Sequence, residues 1–212
     1  YMIGCVNEIG KRQKADNVSG LLGESGFREY MNQLDTPLET GYLLRIGIDH
    51  FKEINDNFGQ EYGDFVLKKT AECISGCTSE GQKVYKLVAD EFLILDVASD
   101  EAKDADKLYD KVREAIDRFI ETNEFKVMYT VSGGIVPFAA LKGNQCSEAL
   151  KLTDFALNEA KKLGRNRCYI FNGETYRKFL RKREITQELR EAVINGFQGF
   201  TAFYQPVFAE DK

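Results

Sequence analysis

The chain has no excess of basic residues, little proline and no framework of paired cysteines. Its 212 residues include 29 Lys and Arg against 34 Asp and Glu, for a net charge of −5, and the two signs are mixed along the chain. Because nucleic-acid binding needs a concentrated positive face, nucleic acid is not expected as a partner. The five cysteines are odd in number, and Cys73 and Cys77 stand four residues apart, as neighbours on a helix would. They indicate reduced thiols, as in the cytoplasm.

Long hydrophobic runs are also missing. No apolar stretch approaches the roughly 18 residues of a membrane-spanning helix. The segment from Tyr1 to Asn7 lacks the charged region followed by an apolar region that marks a secretory signal. We therefore expect no membrane segment here and a cytoplasmic location, an expectation that leaves open a membrane anchor elsewhere in a longer parent protein.

What the sequence does contain is an alternation of strand and helix periodicities over most of its length. A first helix is predicted by Phe27, Tyr30, Met31 and Leu34, and Ser147 and Gly164 stand where the N-cap and the C-cap of a late helix belong. Strands alternating with helices predict an α/β sheet with covered faces. The predicted strands are 42–48, 84–87, 92–97, 126–136 and 168–171, and the other predicted helices are 51–57, 62–75, 101–121 and 148–163.

Two motifs point to a nucleotide site on this sheet. The apolar strand that begins at Leu43 runs into a short polar helix, and the tight connection after Lys86 delivers Asp90 and Glu91 at the start of another strand. The pair resembles the GGDEF family of diguanylate cyclases, which join two GTP molecules into cyclic di-GMP, with Val88 to Phe92 as the signature loop. The resemblance implies a ferredoxin-like palm related to nucleotidyl cyclases, with a central, mainly antiparallel five-stranded sheet flanked by helices.

The metal site implied by the resemblance is incomplete. The family takes its metal-binding carboxylates from the first Asp of Asp-x-Asp-x-Phe-Lys and from the third place of the signature loop. Here the first position is Gly47, which has no ligand, and the third is Asp90. Since Mg²⁺ commonly relies on one or two protein carboxylates plus phosphates, Asp90 is expected to hold Mg²⁺ weakly. Glu91 is then a vestigial catalytic residue, and the alternative is that both are merely polar residues at a strand start.

The signature loop has also lost its glycines. A tight connection between antiparallel strands favours residues that accept a positive φ, and we expect neither Val88 nor Ala89 to do so. The turn must therefore change type or shift by a residue. Both side chains would also intrude where the family's loop approaches the nucleotide.

Recognition of GTP is better preserved. By resemblance, Asn55 and Asp64 contact the guanine, which suits a carboxylate accepting from N1 and N2 and an amide meeting O6 or N3. Phe51 and Lys52 open a helix suited to phosphate oxygens, and Lys161 and Arg165 match the family's triphosphate contacts. The alternatives are that Asp49 only caps this helix and that the two late basic residues only complement a helix C-terminus.

We divide the chain into four segments. Residues 1–18 are interpreted as a signalling linker or the end of an upstream sensor domain, 19–171 as a degenerate GGDEF domain, 172–197 as a linker helix and 198–212 as the start of a truncated EAL domain. The last assignment depends on the run from Gly199 to Val207, which resembles the first strand of EAL phosphodiesterases that act on cyclic di-GMP. The expected partners are GTP, the protein's own EAL domain and, for the full-length protein, a second copy.

Three functions remain open from the sequence. The first is a catalytically impaired, regulatory GGDEF domain that binds GTP and is coupled to the EAL phosphodiesterase. The second is a weakly active diguanylate cyclase that tolerates Gly47 and the altered loop. The third is a dimerisation scaffold that binds no nucleotide. The family's inhibitory site for cyclic di-GMP is not expected, since its Arg-x-x-Asp is replaced by Ser79 to Gln82.

Overall fold

In a computed structural model, a mixed sheet of six strands, counted over the described residues, forms the centre of the first of two compact units. The structure describes residues 15–34, 36, 38–99, 102–122, 127–143, 145–197, 199–201 and 203–205. The chain divides into two compact units, on either side of the junction between Phe171 and Asn172. The predicted upstream linker lies mostly, and the end of the predicted EAL segment entirely, outside the described residues.

The strand order in the sheet is β1-β3-β4-β2-β5-β6. The three inner pairings, β3 with β4, β4 with β2 and β2 with β5, are antiparallel, whereas β1 and β6 pair in parallel at the edges. Five strands were expected, and the sixth is the two-residue β1. The strands are β1 (Leu22–Gly23), β2 (Tyr42–Ile48), β3 (Gln82–Lys86), β4 (Glu91–Asp96), β5 (Val131–Pro137) and β6 (Cys168–Ile170).

Helices cover both faces of the sheet. They are α1 (Glu24–Asn32), α2 (Phe51–Phe58), α3 (Gln60–Cys77), α4 (Ala102–Thr122) and α5 (Cys146–Lys162), with a short 3₁₀ turn at Phe138–Ala140. The expected N-cap at Ser147 is wrong, because α5 begins one residue before it with Gln145 as N-cap. Gly164 does follow the end of α5 in the left-handed conformation expected there (φ 116°).

The central strand β2 separates two packed layers. Its even-numbered residues, Tyr42 to Ile48, belong to the hydrophobic core formed with α3 and α4. Its odd-numbered residues face α5, since a Cβ on Gly47 would contact Leu157 of that helix. The helix lies close to the sheet because the neighbouring strand carries Gly134, where any side chain would overlap the α5 backbone.

The second unit contains one long helix, α6 (Gly173–Ile194). It begins at a defined cap, because the Asn172 Oδ1 accepts hydrogen bonds from the backbone amides of Glu174 and Thr175, both at 3.0 Å. None of its residues is buried. Among the described helices, none combines the length and the low charge that crossing a bilayer requires.

Candidate functional site

Asp49 organises the end of β2 at which the candidate site residues gather. Its carboxylate is only 2% exposed and accepts hydrogen bonds from the Thr130 and Ser132 hydroxyls, both at 2.7 Å, and from the Asn166 backbone amide at 3.2 Å. It does not cap α2, whose N-cap is His50 with no side-chain cap hydrogen bond. The capping alternative is therefore wrong, and Asp49 instead ties β2 to the start of β5 and to the turn after α5.

That turn carries Arg165. Three successive residues, Gly164, Arg165 and Asn166, have positive φ values of 116°, 61° and 47°. The turn is held at one side by the Arg165 amide, which donates to the Ala160 carbonyl at 3.2 Å, and at the other by the bond to Asp49. Because the backbone is fixed at both sides, the exposed Arg165 is presented from a defined position beyond α5.

Lys161 fills the space that the missing carboxylate at Gly47 leaves open. A Cβ built on Gly47 would lie 3.1 Å from the Lys161 Nζ and 3.4 Å from its Cε. Gly47 pairs in register with Glu91 on β4, and the Lys161 Nζ lies 4.0 Å from the Glu91 Oε1. The structure thus brings together three predicted site residues, and it places a cation at the centre of them.

Arg45 is a site residue that the sequence analysis missed. Its Nε donates to the Glu91 Oε2 at 2.7 Å, its second guanidinium nitrogen contacts the same oxygen, and another donates to the Leu150 carbonyl at 3.2 Å. It also lies 3.5 Å from the carboxylate of Asp154. The available signal was a charged residue inside an otherwise apolar strand, since a charge buried there requires a partner.

The arrangement offers few ligands to a divalent metal. Gly47 supplies no ligand, and Glu91, with 18% of its side chain exposed, is already engaged by two cations. Asp90 is half-buried, and its backbone carbonyl accepts from the Ile48 amide at 3.3 Å. Within the part of the chain that the structure describes, no group of three His, Cys, Asp or Glu side chains could hold a metal ion. The assignment of Asp90 as a weak ligand stays a prediction.

The signature loop between β3 and β4 adopts a positive φ at Ala89, of 56°. The expectation that neither loop residue would do so is wrong for Ala89, because the turn places its left-handed residue there and not at the β-branched Val88. The turn is closed by the Leu87 amide, which donates to the Glu91 carbonyl at 2.9 Å. Val88 is 72% exposed and projects from the loop.

The Lys86 side chain stabilises this loop by hydrogen bonding to its backbone. Its ammonium, on a residue only 5% exposed, donates to the backbone carbonyls of Leu87 (2.9 Å), Ala89 and Glu91 (3.4 Å). Burial lowers the pKa of Lys86, and nearby carboxylates, that of Asp16 first, offset only part of the effect. The lysine therefore positions the loop backbone and is not directed at a ligand.

The predicted guanine contacts lie between α2 and α3. Gly63 permits the close approach, because a Cβ there would overlap the Asn55 Oδ1 and lie 3.3 Å from the Phe51 ring. The buried Asn55 Oδ1 has no hydrogen-bond partner within the described residues, and the half-buried Asp64 carboxylate likewise has none among them. The Asp64 carboxylate is an acceptor at which a ligand with N–H donors could bind, whereas the Asn55 Oδ1 is packed against Gly63 and is closed to a ligand in this arrangement. Lys52, also predicted to bind phosphate, is exposed on α2.

Comparison with protein families and curated proteins gives consistent matches. The family described as "Diguanylate cyclase, GGDEF domain" matches residues 14–167 of the chain. The chain is 28% identical over 199 residues to the cyclic di-GMP phosphodiesterase NbdA of Pseudomonas aeruginosa, covering 92% of this chain and 25% of NbdA. It is 30% identical over 161 residues to the diguanylate cyclase DgcZ of Escherichia coli, covering 74% of this chain and 53% of DgcZ. It thus spans between a quarter and about half of the length of these relatives.

Solved structures confirm the fold. The GGDEF domain of YfiN (TpbB) from Pseudomonas aeruginosa matches with a TM-score of 0.68 at 24% identity, over 78% of this chain and 99% of that domain. An EAL/GGDEF domain protein from M. capsulatus matches with a TM-score of 0.58 at 28% identity, over 69% and 94% of the two chains. The α/β palm expected from the sequence is therefore the observed architecture.

Proposed function

The chain is a member of the GGDEF family of diguanylate cyclase domains, and from that membership we propose that it is a catalytically impaired member that binds GTP and regulates a cyclic di-GMP signalling protein. Formation of cyclic di-GMP requires the 3′-hydroxyl of one GTP to attack the α-phosphate of another. That reaction depends on metal ions to activate the hydroxyl and to neutralise the phosphates. Impairment of the domain follows from what stands at the metal position.

The observation on which the proposal depends is the position of the Lys161 ammonium beside Gly47, where the side chain of a metal ligand would otherwise stand. An ammonium lies within 3.1 Å of where a ligand side chain would begin. Glu91, the vestigial catalytic residue, is neutralised by Arg45 and Lys161 and is not available to a metal. Mg²⁺, the cofactor implied by the family, has here at most the single carboxylate of Asp90.

GTP binding is supported by the residues that the metal defect leaves intact. Asp64 offers an oxygen acceptor for N1 and N2 of the guanine, and the amide of Asn55, close to the ring of Phe51, is assigned to O6 or N3. Lys161 and Arg165 offer positive charge for the phosphates, and Lys52 adds a third cation on α2. We assign these six residues to the nucleotide site.

Coupling to an EAL phosphodiesterase domain is part of the same proposal. The alignment with NbdA covers 92% of the chain, which is more than residues 14–167 account for, and NbdA is named a cyclic di-GMP phosphodiesterase. The run from Gly199 to Val207 in the sequence resembles the opening of such a domain. We propose that α6 is the linker, that the full-length protein is a homodimer, and that this part of it is cytoplasmic.

Calorimetric titration of GTP, followed by chromatography of the recovered nucleotide after long incubation with Mg²⁺, tests the proposal. We expect heat of binding and GTP returned unchanged. Formation of cyclic di-GMP would instead support the weakly active cyclase. The similarity to the diguanylate cyclase DgcZ favours this alternative. Absence of both heat and product would support the dimerisation scaffold.

The guanine assignment is tested by Asp64→Ala. Removing this acceptor leaves guanine donors unpaired, so we expect GTP affinity to fall by about tenfold or more. Asp56→Ala, at an exposed position of α2, is the matched control and should leave affinity unchanged. Circular dichroism of both variants checks that the fold is retained. Equal affinities in the two variants would sink the assignment of Asp64.

A further inference from the structure

Two basic side chains meet one carboxylate where β2 packs against α5. Arg45 and Lys161 approach the single carboxylate of Glu91 from two sides, one on each oxygen. Only 12% of the Arg45 side chain and 24% of the Lys161 side chain are exposed. Arg45 also lies 3.5 Å from the Asp154 carboxylate, whose side chain is 53% exposed. Glu91 is therefore the carboxylate that the two cations share in a partly desolvated environment.

The position of the Lys161 ammonium decides which kind of ligand fits. An ion bound near Gly47 and Glu91 would lie beside this ammonium, and Coulomb repulsion between the two cations is strong where water is partly excluded. Two of the nearby carboxylates are committed elsewhere, because Glu91 bonds to Arg45 and Asp49 bonds to hydroxyls of β5 and its approach, which leaves the single carboxylate of Asp90 to offset the repulsion. An anion bound there would instead be attracted by both Lys161 and Arg45.

Arg165 adds positive charge to the anion-binding surface beside Lys161. Arg165 follows Lys161 by four residues, beyond the end of α5, and its backbone is fixed by hydrogen bonds on both sides. Its guanidinium can form two parallel hydrogen bonds to phosphate oxygens, which an ammonium cannot. The pair can therefore contact neighbouring phosphates without a bridging metal ion.

We propose that this domain binds its guanosine triphosphate without a divalent metal, with the Lys161 ammonium taking the place of the ion beside Glu91. The inference rests on the proposed GTP binding and concerns how the triphosphate is held. Arg45 serves as a positioning residue, because it holds the Glu91 carboxylate that in turn orients Lys161.

The test is calorimetric titration of the chain with GTP in two buffers, one with EDTA and one with excess Mg²⁺. We expect GTP to bind at least as tightly in EDTA as in Mg²⁺. Binding that is tighter in Mg²⁺ by about tenfold or more would overturn the inference while leaving GTP binding intact. Absence of heat in both buffers would overturn the proposed GTP binding and this inference together.

A pair of lysine variants tests the role of the ammonium. Lys161→Gln keeps most of the length of the side chain but removes its charge, and we expect GTP affinity in EDTA to fall by about tenfold or more. Lys162→Gln is the matched control, because Lys162 is exposed on the same helical turn and pairs with Glu159 at 2.6 Å. We expect it to change affinity by no more than about twofold, as exposed pairs do. Equal losses in both variants, or none in Lys161→Gln, would contradict the proposal.

Discussion

A left-handed backbone at Ala89 costs free energy that glycine would avoid. The Cβ of a non-glycine residue at φ 56° crowds the backbone, at a cost of about 1–2 kcal/mol. Ala89→Gly removes that crowding but adds freedom to the unfolded chain, which offsets part of the gain. We expect a net increase of about 0.5–1 kcal/mol in the free energy of unfolding, measured by urea denaturation.

The control for this prediction is Ala98→Gly. Ala98 lies in a bend after β4 and does not have a positive φ. Glycine there only adds conformational freedom to the unfolded chain, so the free energy of unfolding should fall by about 0.5–1 kcal/mol. Equal destabilisation by both substitutions would show that the Ala89 backbone is not strained.

For individual residues, the sequence motifs identified candidates but did not predict which contacts those candidates make in the structure. Asp90 and Glu91 were expected from the motif, and the β2 to β4 register places Glu91 opposite Gly47. Arg45 was missed because its partner lies 46 residues away and is specified only by that register. The position of Lys161 was equally hidden, since it depends on how closely α5 packs on the sheet.

The packing of α2 against α3 sets the position of Asn55, a residue of the proposed guanine site. Gly63 on α3 leaves room for the Asn55 side chain, and Gly63→Ala would force the two apart because the new Cβ overlaps the Asn55 Oδ1. We expect the free energy of unfolding to fall by about 1–3 kcal/mol. If the proposed guanine site is right, GTP affinity should fall as well, since Asn55 would move away from its proposed place beside the nucleotide. Urea denaturation and calorimetry measure the two effects.

Gly76→Ala provides the comparison within the same helix. A Cβ on Gly76 would have no neighbour within 4 Å, so only the helix propensity changes. Stability should rise by about 0.5–1 kcal/mol, with GTP affinity unchanged. If Gly63→Ala behaved in the same way as Gly76→Ala, close packing would not be what positions Asn55.

Elements were predicted where hydrophobic periodicity is long and missed where it is short. The bounds of β2 were predicted correctly, and α3 and α5 were each found within two residues at either end. The two-residue β1 was missed, because two residues carry no periodicity and its pairing with β3 is a tertiary contact. The start of β5 was placed too early, since Val131 is its first paired residue.

On the scale of the whole molecule, one buried carboxylate far from the candidate site makes stability depend on acidity. Asp96 is fully buried at the end of β4. Burial alone raises its pKa, but hydrogen bonds from the Gln82 amide and from the Ser99 hydroxyl, together with the Ala98 and Ser99 backbone amides, outweigh it. The net effect lowers the pKa of Asp96 below its ordinary value.

A lowered pKa fixes the direction of the pH dependence. The ionised form is favoured in the folded state, so the stabilisation is fully present above the unfolded pKa of about 3.9. It is lost as the pH falls from there through the folded pKa, because protonation removes the acceptor that the four donors require. At neutral pH, Asp96→Asn should lower the free energy of unfolding by about 1–3 kcal/mol, since one amide cannot accept from all of these donors.

Urea denaturation of the wild type and Asp96→Asn from about pH 3 to about pH 7, a range that includes the unfolded pKa, distinguishes this network from a general effect of charge. The difference in stability between the two proteins should be largest at neutral pH and should shrink as the medium becomes acidic. Asp117→Asn, at an exposed position of α4, removes the same formal charge without a buried network and should produce little change at any pH. A difference for Asp96→Asn that stays constant with pH would mean that folding does not shift the pKa of Asp96, because the pH dependence requires the folded and unfolded states to bind different numbers of protons. The acid sensitivity of the fold would then arise elsewhere.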